Sequence, residues 1–140
     1  MDAPRPPCAL LCADDPGLLH AVRVMLEQNG VEVVATVGTG SQAVFAARAT
    51  DPDLVVLDLA ISGALGLRIV GALRAGTPGA GVVVLSPFES LRRAAVGAGA
   101  LDLVSVRELR RLRVWVNHVL AAHGETCNCH LGLRDPAESP

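Results

Sequence analysis

The sequence predicts an α/β domain, doubly wound around a five-stranded parallel sheet. Two observations carry this. Short apolar runs alternate with longer amphipathic ones five times along the chain, which is the pattern of repeated strand–helix units. Apolar residues make up 51 % of the chain but aromatics only 2 %, so the core is built from Val, Leu, Ala and Ile. Continuous β-branched and Leu runs of that kind suit strands covered on both faces.

Each element follows in order. Cys8–Ala13 is an apolar run of strand length. Pro16–Asn29 has helical spacing, with Leu18, Leu19, Val22, Met25 and Leu26 on one side, Pro16 in the first turn and Gly30 as a stop. Val31–Val37 reads as a strand, Ser41–Ala49 as a helix, and Asp53–Asp58 as a strand with a continuous apolar centre. Leu65–Ala75 is a third helix, Gly81–Ser86 a fourth strand, Glu89–Gly97 a fourth helix, Leu101–Ser105 a short fifth strand, and Arg107–His123 a long last helix. Residues 1–7 form a Pro-rich leader, 8–123 the domain, and 124–140 a polar, flexible tail. Right-handed crossovers favour the strand order 2-1-3-4-5, and ligands in such sheets bind at the carboxyl ends of the strands beside the switch point.

At 140 residues the chain is one ordinary domain. A domain of this size hides roughly 70 % of its unfolded surface and needs no disulfide or metal to hold a core. The net charge of −2 argues against a broadly electrostatic nucleic-acid binder. No apolar run approaches the ~20 residues that span a bilayer, and the start Met1-Asp2-Ala3-Pro4-Arg5 is a poor signal peptide. The expected location is therefore cytoplasmic, with the four cysteines as reduced thiols. All twelve basic residues are arginines, and the chain has no lysine.

The carboxyl ends of strands 1 and 3 carry acids. Asp14 and Asp15 follow the first strand, and Asp58 closes the third. Neighbouring strands lie ~4.8 Å apart, so these carboxylates should converge. Two such charges ~5 Å apart at an effective dielectric of ~20 repel by roughly 3 kcal/mol. No nearby cation offsets this, whereas hard oxygen ligands favour Mg²⁺. The structural alternative is also plain: Asp15-Pro16 makes a good helix start, with Asp15 as N-cap.

The segment Leu10-Leu11-Cys12-Ala13-Asp14-Asp15-Pro16 resembles the acidic strand end of two-component receiver domains. Pro52-Asp53-Leu54-Val55-Val56-Leu57-Asp58-Leu59 is similar to their phosphoacceptor strand, followed by Gly63 and Gly66. Val82-Val83-Val84-Leu85-Ser86 resembles their fourth strand with its switching Ser or Thr, and Gly97-Ala98-Gly99-Ala100 the turn before the fifth. The motifs occur in order over residues 8–122, and the resemblance implies the flavodoxin-like receiver fold with five helices. It further implies Asp58 as phosphoacceptor and Asp14, Asp15, Asp58 and the carbonyl of Ala60 as Mg²⁺ ligands. Ser86 would bind the phosphoryl group and report it.

The pattern is incomplete. The family's lysine after strand 5 is missing, with Ser105 and Val106 in its region and Arg107 the nearest cation. A lost charge-assisted hydrogen bond of ~1.5–3 kcal/mol weakens phosphorylation without abolishing it. Leu103 stands for the aromatic switch, Pro87 follows Ser86, and Ser62 replaces a common proline.

On the last helix Leu109, Leu112, Val116, Val119 and Leu120 make a core stripe. Arg111, Val114, Trp115 and His118 lie on another side, as a partner or homodimer surface or, for Trp115, as packing at the sheet edge. Cys127-Asn128-Cys129-His130 is weak as a metal motif and reads as tail.

Three functions compete. The first is a stand-alone, atypical response regulator, phosphorylated on Asp58 with Mg²⁺ by a histidine kinase or small phosphodonor and signalling through an unidentified protein partner. It would not be an enzyme beyond self-phosphotransfer and auto-dephosphorylation. The second is a pseudo-receiver, an interaction or dimerisation module independent of phosphate. The third, a flavin or nucleotide binder, needs a Gly/Ser/Thr-rich phosphate loop after strand 1, where this chain has the repelling Asp14-Asp15 pair.

Overall fold

The computed structural model describes residues 6–61 and 66–131, with side chains through residue 122. Five parallel strands, β1 (Cys8–Cys12), β2 (Glu32–Val37), β3 (Leu54–Asp58), β4 (Gly81–Leu85) and β5 (Asp102–Val104), lie in the order β2-β1-β3-β4-β5. Five helices connect and follow them: α1 (Pro16–Gln28), α2 (Gly40–Thr50), α3 (Gly66–Gly76), α4 (Arg92–Ala98) and α5 (Leu112–Leu131). This is the doubly wound α/β architecture, with β1 and β3 adjacent at the switch point.

Strand alternation divides the core into two layers. Leu10, Cys12, Val55, Leu57, Val82, Val84 and Leu103 face α2, α3 and α4 through Ala43, Ala47, Val70, Leu73 and Ala95. Ala9, Leu11, Leu54, Val56, Val83, Leu85 and Val104 face α1 and α5 through Val22, Leu26, Leu112, Val116 and Val119. Most of these side chains are fully buried. With a sheet this well covered, the polar residues at its carboxyl edge are the part left to do chemistry.

The helix starts are local. Asp15 caps α1, its Oδ1 accepting from the Gly17 N–H at 2.9 Å. Thr39 caps α2 by accepting from the Gln42 N–H at 3.2 Å, and Gln42 Oε1 accepts in return from the Gly38 N–H. Gly30 ends the α1 turn at φ 85°, a region that L side chains avoid. Gly30→Ala should therefore destabilise the domain by about 1 kcal/mol, read as a lower urea midpoint with an unchanged slope.

Several boundaries differ from expectation. The leader does not stop short of the sheet: the Pro7 carbonyl accepts from the Glu32 N–H at 2.9 Å, extending the β1–β2 pairing. Both later helices begin as tight single turns, Glu89–Leu91 before α4 and Leu109–Arg111 before α5. The helix end expected at His123 is absent, for α5 runs through Gly124 to Leu131. A glycine within a helix costs only about 1 kcal/mol and stops it only where the chain turns left-handed. Met1–Arg5, residues 132–140, and Ser62 and Gly63 lie outside the described residues, as do the side chains of Cys127, Cys129 and His130.

Candidate functional site

The end of β3 places Asp58 at the carboxyl edge of the sheet, in register with Leu85 of β4. Its side chain is 6 % exposed, and its Oδ1 accepts from the Ala60 N–H at 3.0 Å. Burial pushes the Asp58 carboxyl above its ordinary value; the Ala60 hydrogen bond opposes this, and the charges of Asp14 and Asp15 add to it. The three acids are thus electrostatically coupled. Among the described residues no cation is paired with any of them.

The convergence is looser than three direct ligands would need. Asp14 and Asp15 stand exposed, and Asp15 also serves as the α1 cap. Among the described residues no three His, Cys, Asp or Glu side chains gather closely enough to hold a metal ion by themselves. Of the two readings of Asp15, the cap is what the structure shows.

Ser86 follows β4 and is 2 % exposed. Its N–H donates to the Val104 carbonyl at 3.2 Å, and its Oγ accepts from the Phe88 N–H at 3.0 Å. Ser86 and Ala60 line one apolar cleft of about 420 Å³ with Leu59, Leu67, Pro87 and Phe88. Ser86, expected at the phosphoryl group, and Ala60, expected at the metal, thus line the same cleft, whose lining does not include Asp58. At the end of β1, beside Leu57, Cys12 is buried and donates through Sγ to the Thr39 carbonyl at 3.4 Å. Burial, reinforced by the charges of Asp58 and Asp14, pushes this thiol up to about 12. On the lysine side, Ser105 is buried and accepts from the Arg107 N–H, Val106 is half-buried against the α1/α5 layer, and Arg107 is exposed.

The four residues expected on a partner surface do not behave alike. Val114 is 64 % exposed, and His118 is exposed as well. Arg111 is half-exposed beside Glu89 and Glu108, each at 3.9 Å. Trp115 instead packs partly into the domain, stacks edge-on with His118 at 5.7 Å, and donates its Nε1–H to Asp102 Oδ2 at 3.0 Å. The edge packing weighed from sequence is what this side chain does.

Asp102 is the residue the sequence did not single out. Besides the indole, its Oδ1 accepts from the Leu103 N–H at 2.8 Å and pairs with Arg92, which also binds Glu89 at 2.5 Å. Two signals were present: one acid within a short apolar strand, and a lone tryptophan whose N–H needs an acceptor when buried. Among the described residues no helix is long and apolar enough to cross a membrane.

Comparison with known proteins agrees with this geometry. Residues 9–112 match the family described as the response regulator receiver domain. The chain is 33 % identical over 118 residues to a putative transcriptional regulator of Pseudomonas aeruginosa, covering 81 % of this chain and 56 % of that protein. It is 38 % identical over 120 residues to the transcriptional regulatory protein KdpE of Mycobacterium tuberculosis, covering 81 % and 52 % respectively. The chain thus spans about half the length of the curated relatives it matches. A response regulator from Thermotoga maritima superposes with a TM-score of 0.72 at 25 % identity, covering 82 % of this chain and 98 % of that one. The receiver domain of the Francisella response regulator 1452 gives 0.73 at 20 % identity, covering 83 % and 98 %. With its fold and most of its length matched, the chain belongs to the response regulator receiver domain family.

Proposed function

We propose that this receiver is phosphorylated on Asp58 in a Mg²⁺-dependent reaction with a histidine kinase or small phosphodonor, in the cytoplasm. The observation that carries the reading is a buried carboxylate, coupled to Asp14 and Asp15, with no cation paired to it among the described residues. A divalent ion is the natural counter-charge for such a site. Mg²⁺ keeps several waters and takes few protein oxygens, which suits acids too loosely placed to chelate alone. Asp14, Asp15, Asp58 and the Ala60 carbonyl would hold it. When bound, the ion supplies charge neutralisation for the acids and the incoming phosphoryl oxygens.

The residues of the chain do the rest. A carboxylate oxygen of Asp58 attacks phosphorus while the bond from phosphorus to the donor breaks, and the donor leaves with its electron pair. Ala60 N–H already holds Asp58 Oδ1, which fixes the carboxylate's rotation. Ser86 keeps its own hydroxyl proton for a phosphoryl oxygen, because its lone pair is what engages Phe88. Output then passes by protein contact, with Arg111 in the turn before α5 and Val114 and His118 on α5 as the surface. We expect neither a direct nucleic-acid contact nor enzymatic chemistry beyond self-phosphotransfer and auto-dephosphorylation from this domain.

The absence of lysine favours a second reading, a phosphate-independent interaction or dimerisation module. An amide NMR titration with Mg²⁺ and then beryllofluoride, a mimic of aspartyl phosphate, separates the two. The first reading expects shifts at Asp14, Asp15 and Asp58 with Mg²⁺, and further shifts at Ala60 and Ser86 with beryllofluoride. Magnesium shifts without a beryllofluoride response would support the second, and silence to both would remove the metal site as well.

A further inference from the structure

We propose that the groove between α2 and the edge strand β2 is a self-association surface, which takes Phe45 from a second copy of this chain and offers its own Phe45 in return. The inference is independent of the phosphorylation reading and concerns the β2 edge of the sheet, opposite β5.

Packing within the domain does not explain Phe45. It is 77 % exposed, more than any other large apolar side chain among the described residues. Ala43 and Ala47, on either side of it in sequence, are the residues of α2 that are buried against the sheet. Beside Phe45 lies a groove of about 460 Å³, walled by Thr36 and Val37 at the end of β2 and by Ser41, Gln42 and Ala46 of α2. Phe45 forms part of the same wall, so knob and hole stand side by side. A two-fold axis through such a patch carries each ring into the other molecule's groove, which is what an isologous interface requires.

Charge decides which occupant fits. Every residue lining the groove is uncharged. Ser41 and Gln42 stand one turn before Phe45, and Arg48, one turn after it, lies over Gly76 of α3. A second copy therefore meets no like charge, whereas a partner selected by charge finds nothing to hold. Other exposed apolar residues lack this property. Val114 has Arg110 and Arg111 one turn before it, and Val96 has Arg93. A two-fold contact centred on either would set arginines against their own copies.

The shape of β2 decides how the contact is made. Its register against β1 slips at Val34, between Val33 and Ala35. A bulge of this kind twists an edge strand and discourages another strand from pairing along it. The association therefore uses side chains and not added ladder bonds. An aromatic ring buries about 150–250 Å², so two rings supply about 300–500 Å² and the groove walls the remainder. That is an interface of the small class, and its dimer is weak and concentration-dependent.

The test is sedimentation equilibrium of the full chain from about 1 μM to 1 mM. The wild type is expected to pass from monomer toward dimer within this range. Phe45→Glu and Ser41→Arg, both at exposed positions, should each weaken the dimer at least about thirtyfold while leaving the urea midpoint close to that of the wild type. Val114→Glu should leave the dimer intact. An equimolar mixture of Phe45→Glu and Ser41→Arg should associate again. In that pair the new carboxylate of one chain enters the groove that carries the other's new guanidinium, and the remaining ring finds an unaltered groove. A folding defect in either variant could not produce this recovery. A wild type that stays monomeric at the top of the range overturns the proposal, as does a dimer that survives Phe45→Glu or a mixture that stays monomeric. A dimer lost in Val114→Glu alone overturns it in favour of α5.

Discussion

Asp58→Asn is expected to make the domain more stable at neutral pH by about 1–3 kcal/mol while removing all phosphoryl uptake. An amide cannot form the acyl phosphate, so incorporation from any donor should be lost entirely. The gain in stability follows from burial and from the neighbouring acids, which hold the Asp58 carboxyl above its ordinary value in the folded state. Below that ordinary value the carboxyl is protonated in both folded and unfolded chains and exerts no penalty. As pH rises toward the folded value, the unfolded chain ionises first and native stability falls. Above the folded value the penalty is complete and constant. The gap between variant and wild type should therefore be small in acid and widest at neutral pH. Asn retains an oxygen for the Ala60 N–H, so the turn after β3 survives the change. Saturating Mg²⁺ should narrow the gap by raising the wild type alone, by about 2.7 kcal/mol at a hundredfold excess over Kd. Urea denaturation of both proteins across pH, with and without Mg²⁺, reads all of this. A gap that does not change with pH would mean that Asp58 is not held above its ordinary value.

Val106→Lys is expected to accelerate phosphorylation by one to two decades. Val106 follows the buried Ser105 after β5, in the region where receivers carry their lysine, and it is only half-buried against the α1/α5 layer. A lysine stem can cover the same apolar surface and extend its ammonium to the strand ends. One charge-assisted hydrogen bond to a transferring phosphoryl group supplies ~1.5–3 kcal/mol, and each 1.4 kcal/mol is about tenfold in rate. Val106→Met matches length without charge and should leave the rate unchanged. The initial rate of phosphoryl incorporation from acetyl phosphate compares the three. Equal rates for Lys and Met would place the missing cation elsewhere, or show that none is needed.

The architecture was legible because each strand announces itself twice, as a short apolar run and as one step in a regular alternation. Leu54–Asp58 and Gly81–Leu85 fall within one residue of the expected strands at either end. The strand-end acids were legible for a related reason. A carboxylate at the end of an apolar run has no packing role to explain it, and the switch-point rule says which two strand ends are neighbours. What sequence could not give is contact between residues distant along the chain. Asp102 reads as one polar residue on a short strand, and its partners lie 10 residues before it and 13 after. No periodicity links Arg92, Asp102 and Trp115; the sheet and two helices bring them together. The α5 boundary failed differently. Gly124 is a stop signal only by association, and a helix already anchored by Leu112, Val116 and Val119 extends past it.

The sulfur of Cys12 feels the charges of the same acids, Asp58 and Asp14. An aspartyl phosphate is a mixed anhydride, open to any good nucleophile within reach, and a thiolate would convert it to a thioester and discard the phosphate. Cys12 sits on β1, donates to the Thr39 carbonyl and holds its proton up to about pH 12. Burial and the neighbouring acids thus help to keep this sulfur protonated, and so unreactive toward a phosphorylated neighbour and equally toward peroxide and alkylating reagents, which attack thiolates. A receiver built this way can carry a cysteine on the strand beside its acidic site without exposing its signal to that residue's chemistry.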